Sequence, residues 1–366
     1  MTKTVGILGA GQLARMLALA AHEMGVKTIC YDAHDTSSAA AATQTVQGSF
    51  EDQECLLAWA RNCDVITYET ENIPLAATDI LAGQGLEVYP SRRALAMMQN
   101  RNLEKTFCRQ LGIQTAEFAI VHNEAELQDA VSLLGYPCVL KTTTLGYDGK
   151  GQYRLNDDSD LSSLSLSWDR EYIVEQWLQH DGECSILSVR DHDGKIKHYP
   201  LTYNQHQHGM LAYSRAPYPD RAMQKKANDI AERILEHFTY VGVLAIEFFM
   251  VGDNLLINEM APRVHNSFHW TIEGATTSQF ANHLRALLHW PLGTTEAIAT
   301  SHLYNCIGQM PVCERILSYS GAYYHDYGKM VRPGRKLGHV TWCDFNHPGD
   351  TEIATALWSE INNIYN

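Results

Sequence analysis

The stretch Val243–Met260 reads VLAIEFFMVGDNLLINEM: two apolar runs, each carrying one glutamate, joined by Val251-Gly252-Asp253-Asn254. Apolar runs flanking a Gly-Asp-Asn turn form a β-hairpin. A three-residue loop over Gly252–Asn254 sets Glu247 directly opposite Glu259, whereas a two-residue loop sets Asn258 there instead. Like charges facing one another across a strand pair are destabilising, and apolar neighbours such as Ile246, Phe248, Phe249 and Ile257 make this worse. A divalent cation held between Glu247 and Glu259 relieves both problems. Magnesium takes one or two protein carboxylates together with phosphate oxygens in this way.

A second chemical feature lies about a hundred residues upstream. Cys138–Lys141 is a short apolar strand ending in lysine, and it is followed by Gly146-Tyr147-Asp148-Gly149-Lys150-Gly151-Gln152. Three glycines in six positions bend freely and present backbone N–H groups to phosphate oxygens. Lys141 and Lys150 add point charges. The spacing is not that of a Walker A loop.

At the N-terminus, Gly9-Ala10-Gly11-Gln12-Leu13-Ala14 follows a strand and opens a helix, with Asp32 ending the next strand. That matches the dinucleotide fingerprint G-x-G-x-x-G/A. The same glycines also serve any parallel sheet whose first turn meets a helix, so the later residues have to decide between the two.

The chain has 366 residues, 45% apolar and 19% charged, a length for two or three domains. Lys and Arg total 28 against 42 Asp and Glu, a net charge of −14. That balance argues against a nucleic-acid or anionic-membrane surface, so an anionic ligand needs a local cluster of cations. Lys329, Arg332, Arg335 and Lys336 supply one around Pro333-Gly334. Nine scattered cysteines without a C-x-x-C pair suit a reducing compartment. There is no signal-like leader and no 18-residue apolar run, so the expected location is the cytoplasm.

Strands at Thr4–Gly9, Lys27–Asp32, Asp64–Glu69 and Leu86–Tyr89 alternate with helices at Gln12–Met24 and Asp52–Cys63, which predicts a parallel sheet covered on both faces. Ser91–Gly112 reads as helical. A helix at Glu124–Leu134 with strands at Val139–Lys141 and Tyr172–Glu175 predicts a small α+β unit. From Glu183 onward the signals are antiparallel, with helices at Arg221–Phe238 and Ser278–Leu288 and β-rich segments to about Phe345. The expected domains are 1–95, 96–180 and 181–366.

Together these residues resemble the ATP-grasp enzymes, and within them the N5-carboxyaminoimidazole ribonucleotide synthetases of purine biosynthesis, over nearly the whole chain. The likeness rests on Gly11-Gln12-Leu13, Lys141 with Gly146–Gln152, Glu175-Gln176, Asp181-Gly182-Glu183, Asn258-Glu259, Arg263-x-His265-Asn266-Ser267 and Arg332–His339. Leu145 stands where the family often has a second glycine, and Asn100 where aspartate is usual.

The resemblance implies a Rossmann-like N-terminal domain, a small α+β lid domain and a C-terminal mixed α/β domain, with ATP between the last two. It implies that Arg101 and Lys141 meet phosphates under a lid formed by Gly146, Tyr147, Asp148, Gly149, Lys150, Gly151 and Gln152. Glu175, Gln176, Trp177 and Leu178 line the adenine, Glu183 holds the ribose hydroxyls and His206 joins the nucleotide site. Magnesium, with manganese as its substitute, falls to Glu247, Glu259 and Asn258. Arg263 and His265 bind bicarbonate and the carboxyphosphate made from it, while Tyr147, Asp148 and Lys150 touch the substrate from the lid. Gln12, Glu71 and the basic cluster Lys329, Arg332, Arg335 and Lys336 receive 5-aminoimidazole ribonucleotide, in an enzyme expected to be a homodimer. Two competitors follow from other residues: an NAD-dependent dehydrogenase built on Gly9–Ala14 and Asp32, and a non-catalytic ATP-binding protein. The first leaves the lysine loop, the hairpin and Arg263-x-His265 unexplained, and the second leaves Arg263 and His265 without a task.

Overall fold

The structure is a computed structural model that describes residues 2–34, 37–144, 151–345 and 351–362. Three sheets organise it. The first is parallel, in the order β3-β2-β1-β4, from β1 (Thr4–Leu8), β2 (Lys27–Asp32), β3 (Gln44–Gln47) and β4 (Val65–Tyr68). The helix Gln12–Glu23 covers one face by burying Leu13, Ala14, Met16, Leu17, Ala18 and Ala21, a helical stripe of the required period. Helices Gln53–Ala60 and Leu75–Ala82 cover the other side around Tyr31, Trp59 and Tyr68. Leu86–Tyr89, expected as a strand, contributes only a single bridge from Val88 to Ile66.

The second sheet is antiparallel, in the order β5-β8-β6-β7, from β5 (Phe118–Val121), β6 (Cys138–Thr142), β7 (Gln152–Leu155) and β8 (Tyr172–Gln176). The helix Glu124–Leu134 packs on it through Leu127, Ala130 and Val131.

The third sheet has nine strands: β9 (Gly182–Arg190), β10 (Ile196–His198), β11 (Thr202–Gln207), β12 (Met210–Ala216), β13 (Gly242–Val251), β14 (Asn254–Ala261), β15 (Thr300–Ile307), β16 (Ala322–Asp326) and β17 (Lys336–Asp344). Its path is β14-β13-β9-β11-β12-β15-β17-β16, with β10 beside β9, so β14 is an edge strand. The helix Arg221–His237 covers one face with Met223, Ala227, Ala231, Ile234 and Leu235.

The first and third sheets are docked through buried groups. His283 Nδ1 accepts from Val243 N–H, so its Nε2–H donates to Thr67 Oγ1 on β4, 2.9 Å away. Burial pushes His283 down to about 3, so this contact stays neutral. Among the described residues, no helix is long and apolar enough to cross a membrane, and all nine cysteines are free.

Candidate active site

The hairpin turns through Gly252-Asp253, with Val251 paired to Asn254. This is the two-residue loop, whose regular continuation brings Asn258 opposite Glu247. The register slips instead: Phe248 pairs with Ile257, and Glu247 pairs with Glu259. Asn258 is the extra residue of a β-bulge, so the two carboxylates face each other after all. Burial, with Glu259 and Glu183 adding their charge, pushes Glu247 up to about 7 against the pull of His206. Two facing carboxylates plus one amide suit a magnesium ion that keeps its remaining positions for water and phosphate. Among the described residues, no group of three His, Cys, Asp or Glu side chains offers an alternative metal site.

Around that pair the sheet assembles further polar groups. Glu183 on β9 forms an ion pair with His206 on β11, 2.6 Å apart. Burial alone lowers an imidazole's pKa, but Glu183 and Glu247 beside His206 raise it to about 9. His265 Nε2 lies 3.5 Å from Glu247 Oε1. Burial first, then the charges of Arg263 and Lys336, push His265 well below its ordinary range, so this histidine is neutral. It is held by Ser267 Oγ at 2.9 Å, in a buried chain that continues through Ser185, Asn204 and Ser214.

The second sheet brings its charges to the same place. Glu175 Oε2 on β8 lies 3.0 Å from Lys141 Nζ on β6 and 3.4 Å from Lys105 Nζ. Burial works against the Glu175 carboxylate, but the two lysines hold it at about 2. Lys105 and its neighbour Glu104 had escaped the sequence reading. Both sit on the helix Arg101–Gln110, and the spacing 101, 104, 105 was the available signal, since it puts all three on one helix face. Asn100 caps that helix, its side chain accepting from Asn102 and Leu103 N–H. Asparagine and aspartate cap equally well, so the helix start keeps its cap despite the departure from the family pattern. Arg101 reaches toward Glu259 at 3.8 Å.

On the opposite side, Arg263 Nε donates to Glu71 Oε2, an ion pair between the bend after β14 and the loop after β4. Burial raises Glu71, but Arg263 outweighs it and keeps the carboxyl below its usual range. Lys329 Nζ donates to Gln12 Oε1 at the start of the first helix, and Ser38 Oγ donates to Tyr327 O. The basic turn is thereby pinned against the N-terminal sheet.

The glycine turn itself is filled. Glu69 Oε1 accepts from Gly11 N–H at 2.5 Å, and Oε2 accepts from Leu13 and Ala14 N–H at 3.1 and 3.0 Å. A Cβ on Gly11 would stand 2.5 Å from Glu69 Oε1. The glycines make room for the chain's own carboxylate where a dinucleotide pyrophosphate would bind. Asp32 accepts from Ala10 and His34 N–H, so it too has a local task.

Three family models cover most of the chain: a ribonucleotide synthetase preATP-grasp domain over 1–99, an ATP-grasp domain over 106–280, and a phosphoribosylaminoimidazole carboxylase C-terminal domain over 301–348. The N5-carboxyaminoimidazole ribonucleotide synthase of Pseudomonas aeruginosa is 41% identical over 338 residues, 92% of this chain and 93% of that protein. The chain belongs to the N5-carboxyaminoimidazole ribonucleotide synthase family. Among solved structures, the N5-carboxyaminoimidazole ribonucleotide synthetase of Thermus thermophilus superposes with a TM-score of 0.92 at 43% identity, covering 98% of both chains. A synthase of Aspergillus clavatus, solved with ADP and 5-aminoimidazole ribonucleotide, gives 0.89 at 32% identity over 100% of this chain and 99% of that one. The fold is therefore ATP-grasp preceded by its pre-ATP-grasp domain, and the dehydrogenase reading falls.

Within this synthase fold the remaining expected residues are distributed as follows. Gly146, Tyr147, Asp148, Gly149 and Lys150 lie outside the described residues. Gly151 has φ +70° and closes against Thr142, while Gln152 pairs with Lys141. Gln176 ends β8, and Trp177 lies beneath the Arg154 guanidinium at 4.1 Å, with Leu178 following. The basic cluster divides. Arg332 is exposed on the turn and Arg335 bonds Met330 O. The charge of Lys336 is instead felt at His206, Glu247 and His265, which sets it on the carboxylate side.

Proposed function

We propose that this chain carboxylates 5-aminoimidazole ribonucleotide with bicarbonate at the expense of ATP, giving N5-carboxyaminoimidazole ribonucleotide, ADP and phosphate. The observation that carries this reading is the convergence of the Glu247–Glu259 pair, the Lys141–Glu175–Lys105 cluster and Arg263 with His265. We divide the labour among the units 1–95, 96–180 and 181–366. ATP lies between the second and third, with Glu175–Leu178 at the adenine, Glu183 and His206 at the ribose side, and Arg101, Lys141 and Gly146–Gln152 at the phosphates. Glu247, Glu259 and Asn258 hold magnesium, which supplies neutralisation of the phosphate charge.

Bicarbonate oxygen attacks the γ-phosphorus and ADP leaves, so positioning and charge carry most of the rate. Arg263, fixed by Glu71, sets a guanidinium beside the carboxyphosphate that forms. Neutral His265 donates from Nε2 without adding charge. Tyr147, Asp148 and Lys150 are assigned to contact the substrate and the intermediate. Carboxyphosphate gives carbon dioxide and phosphate, and the exocyclic amine takes up the carbon dioxide and loses a proton. Gln12, Glu71, Lys329, Arg332 and Arg335 hold the ribonucleotide, while Lys336, also expected there, acts on the carboxylate side through its charge at Glu247 and His265. We place the enzyme in the cytoplasm, as its free thiols favour, and as a homodimer. The deciding assay is ADP release with and without 5-aminoimidazole ribonucleotide and bicarbonate. No stimulation by the ribonucleotide would overturn the proposal.

A further inference from the structure

As the edge strand of its sheet, β14 turns one row of backbone groups away from β13. Each of three such groups finds a partner in the segment 104–114. Ile257 N–H donates to Gln114 O at 2.8 Å. Asn258 O accepts from Lys105 Nζ at 3.3 Å, and Met260 N–H donates to Glu104 Oε2 at 3.1 Å. The last two fall at the bulge residue and two residues beyond it, and come from consecutive residues of one helix. Glu104 is 3% exposed and Lys105 1%. Burying ionisable side chains that deeply is costly, whether as charges without a partner or as polar groups without a hydrogen bond, so their position calls for a reason.

The bulge has a competitor. In the regular register Asn258 opposes Glu247, and Glu259 turns to the other face of the sheet. Only the slipped register brings the two carboxylates together. We propose that Glu104 and Lys105 form a brace that holds the bulge at Asn258 and so sets the spacing of Glu247 and Glu259 for a divalent cation. They are positioning residues, not ligands. Lys105 also reaches Glu175 on β8, so the brace ties the metal strand to the strand assigned to adenine. This inference rests on reading the carboxylate pair as the metal site.

The test titrates Mn²⁺ into the full-length protein, with and without ADP, and follows loss of the free-ion EPR signal. Glu104→Gln keeps an acceptor for Met260 N–H and should bind Mn²⁺ like the wild type. Glu104→Leu and Lys105→Met should bind about 10–100-fold more weakly, the range for groups that orient metal ligands. Glu259→Gln is the control for the site. If Glu259→Gln bound Mn²⁺ as the wild type does, the metal assignment would fail. If it weakened binding while Glu104→Leu and Lys105→Met did not, the brace alone would be refuted. Amide exchange over residues 254–261 gives a readout without metal, also for a variant too weak to titrate. Protection of Met260 should drop in Glu104→Leu, and unchanged protection overturns the proposal.

Discussion

Replacing Glu175 by glutamine tests whether Lys141 faces nucleotide phosphate. The substitution removes the single carboxylate between Lys141 and Lys105, at 3.0 and 3.4 Å. At an effective dielectric of about 20, each contact is worth roughly 5 kcal/mol before desolvation. The net cost of breaking a buried pair is smaller, about 3–5 kcal/mol. Spread over 366 residues at about 2.1 cal/mol/K per residue, a loss of about 4 kcal/mol lowers Tm by about 5 °C if the chain melts as one unit. Two uncompensated buried cations then attract an anion more strongly than in the wild type. Saturating MgADP should therefore stabilise Glu175→Gln more than the wild type and narrow the gap in Tm, as followed by calorimetry. A gap that stayed the same or widened with MgADP would mean that Lys141 does not meet phosphate.

Glu247 and Glu104, held at about 7 and about 8 against an ordinary 4.5, and His206, held at about 9 against 6.5, all keep protons in the folded state that the unfolded chain releases. Their contribution to stability therefore falls as pH rises from about 4.5 to about 9, and Mg²⁺ should flatten the Glu247 part; a Tm series over pH, with and without Mg²⁺, checks both signs. Arg263→Ala should lower kcat by about 10²–10³, as for loss of one charge-stabilising donor, yet keep ADP binding that Glu259→Gln weakens. Equal losses by calorimetry would move Arg263 to the nucleotide. Arg335→Ala should chiefly raise KM for the ribonucleotide, whereas Lys336→Ala should lower kcat, because its charge bears on Glu247 and His265; steady-state kinetics with identical profiles for both would contradict the division of the basic turn.

Local patterns made the hairpin, the lysine strand and the alternating N-terminal unit legible, and strand β2 and the helix Glu124–Leu134 fall where their periodicity put them. The bulge was not legible, because its cause lies in Glu104 and Lys105, over 150 residues away in sequence. Glu69 was missed for the same reason: a glycine turn shows that something approaches the backbone but not what. The helix Leu75–Ala82 carried a usable signal in Pro74 just before it, whereas β5 and β7 are only four residues long and too short for their alternation to stand out. Sequence proximity groups Lys336 with the basic turn, and only the folded arrangement shows its charge acting at Glu247 and His265.

The carboxylate seated in the glycine turn amounts to an intramolecular competitor. Tethered to β4 and held by three amides, Glu69 acts at an effective concentration far above that of any free dinucleotide in a cell. A pyrophosphate that tried to enter would first have to displace those three hydrogen bonds. Sequence patterns that count glycines therefore cannot tell an open anion cradle from one that carries its own permanent guest. Removing that one acidic side chain, with no change to the glycines, would leave the amides of Gly11, Leu13 and Ala14 without their acceptor.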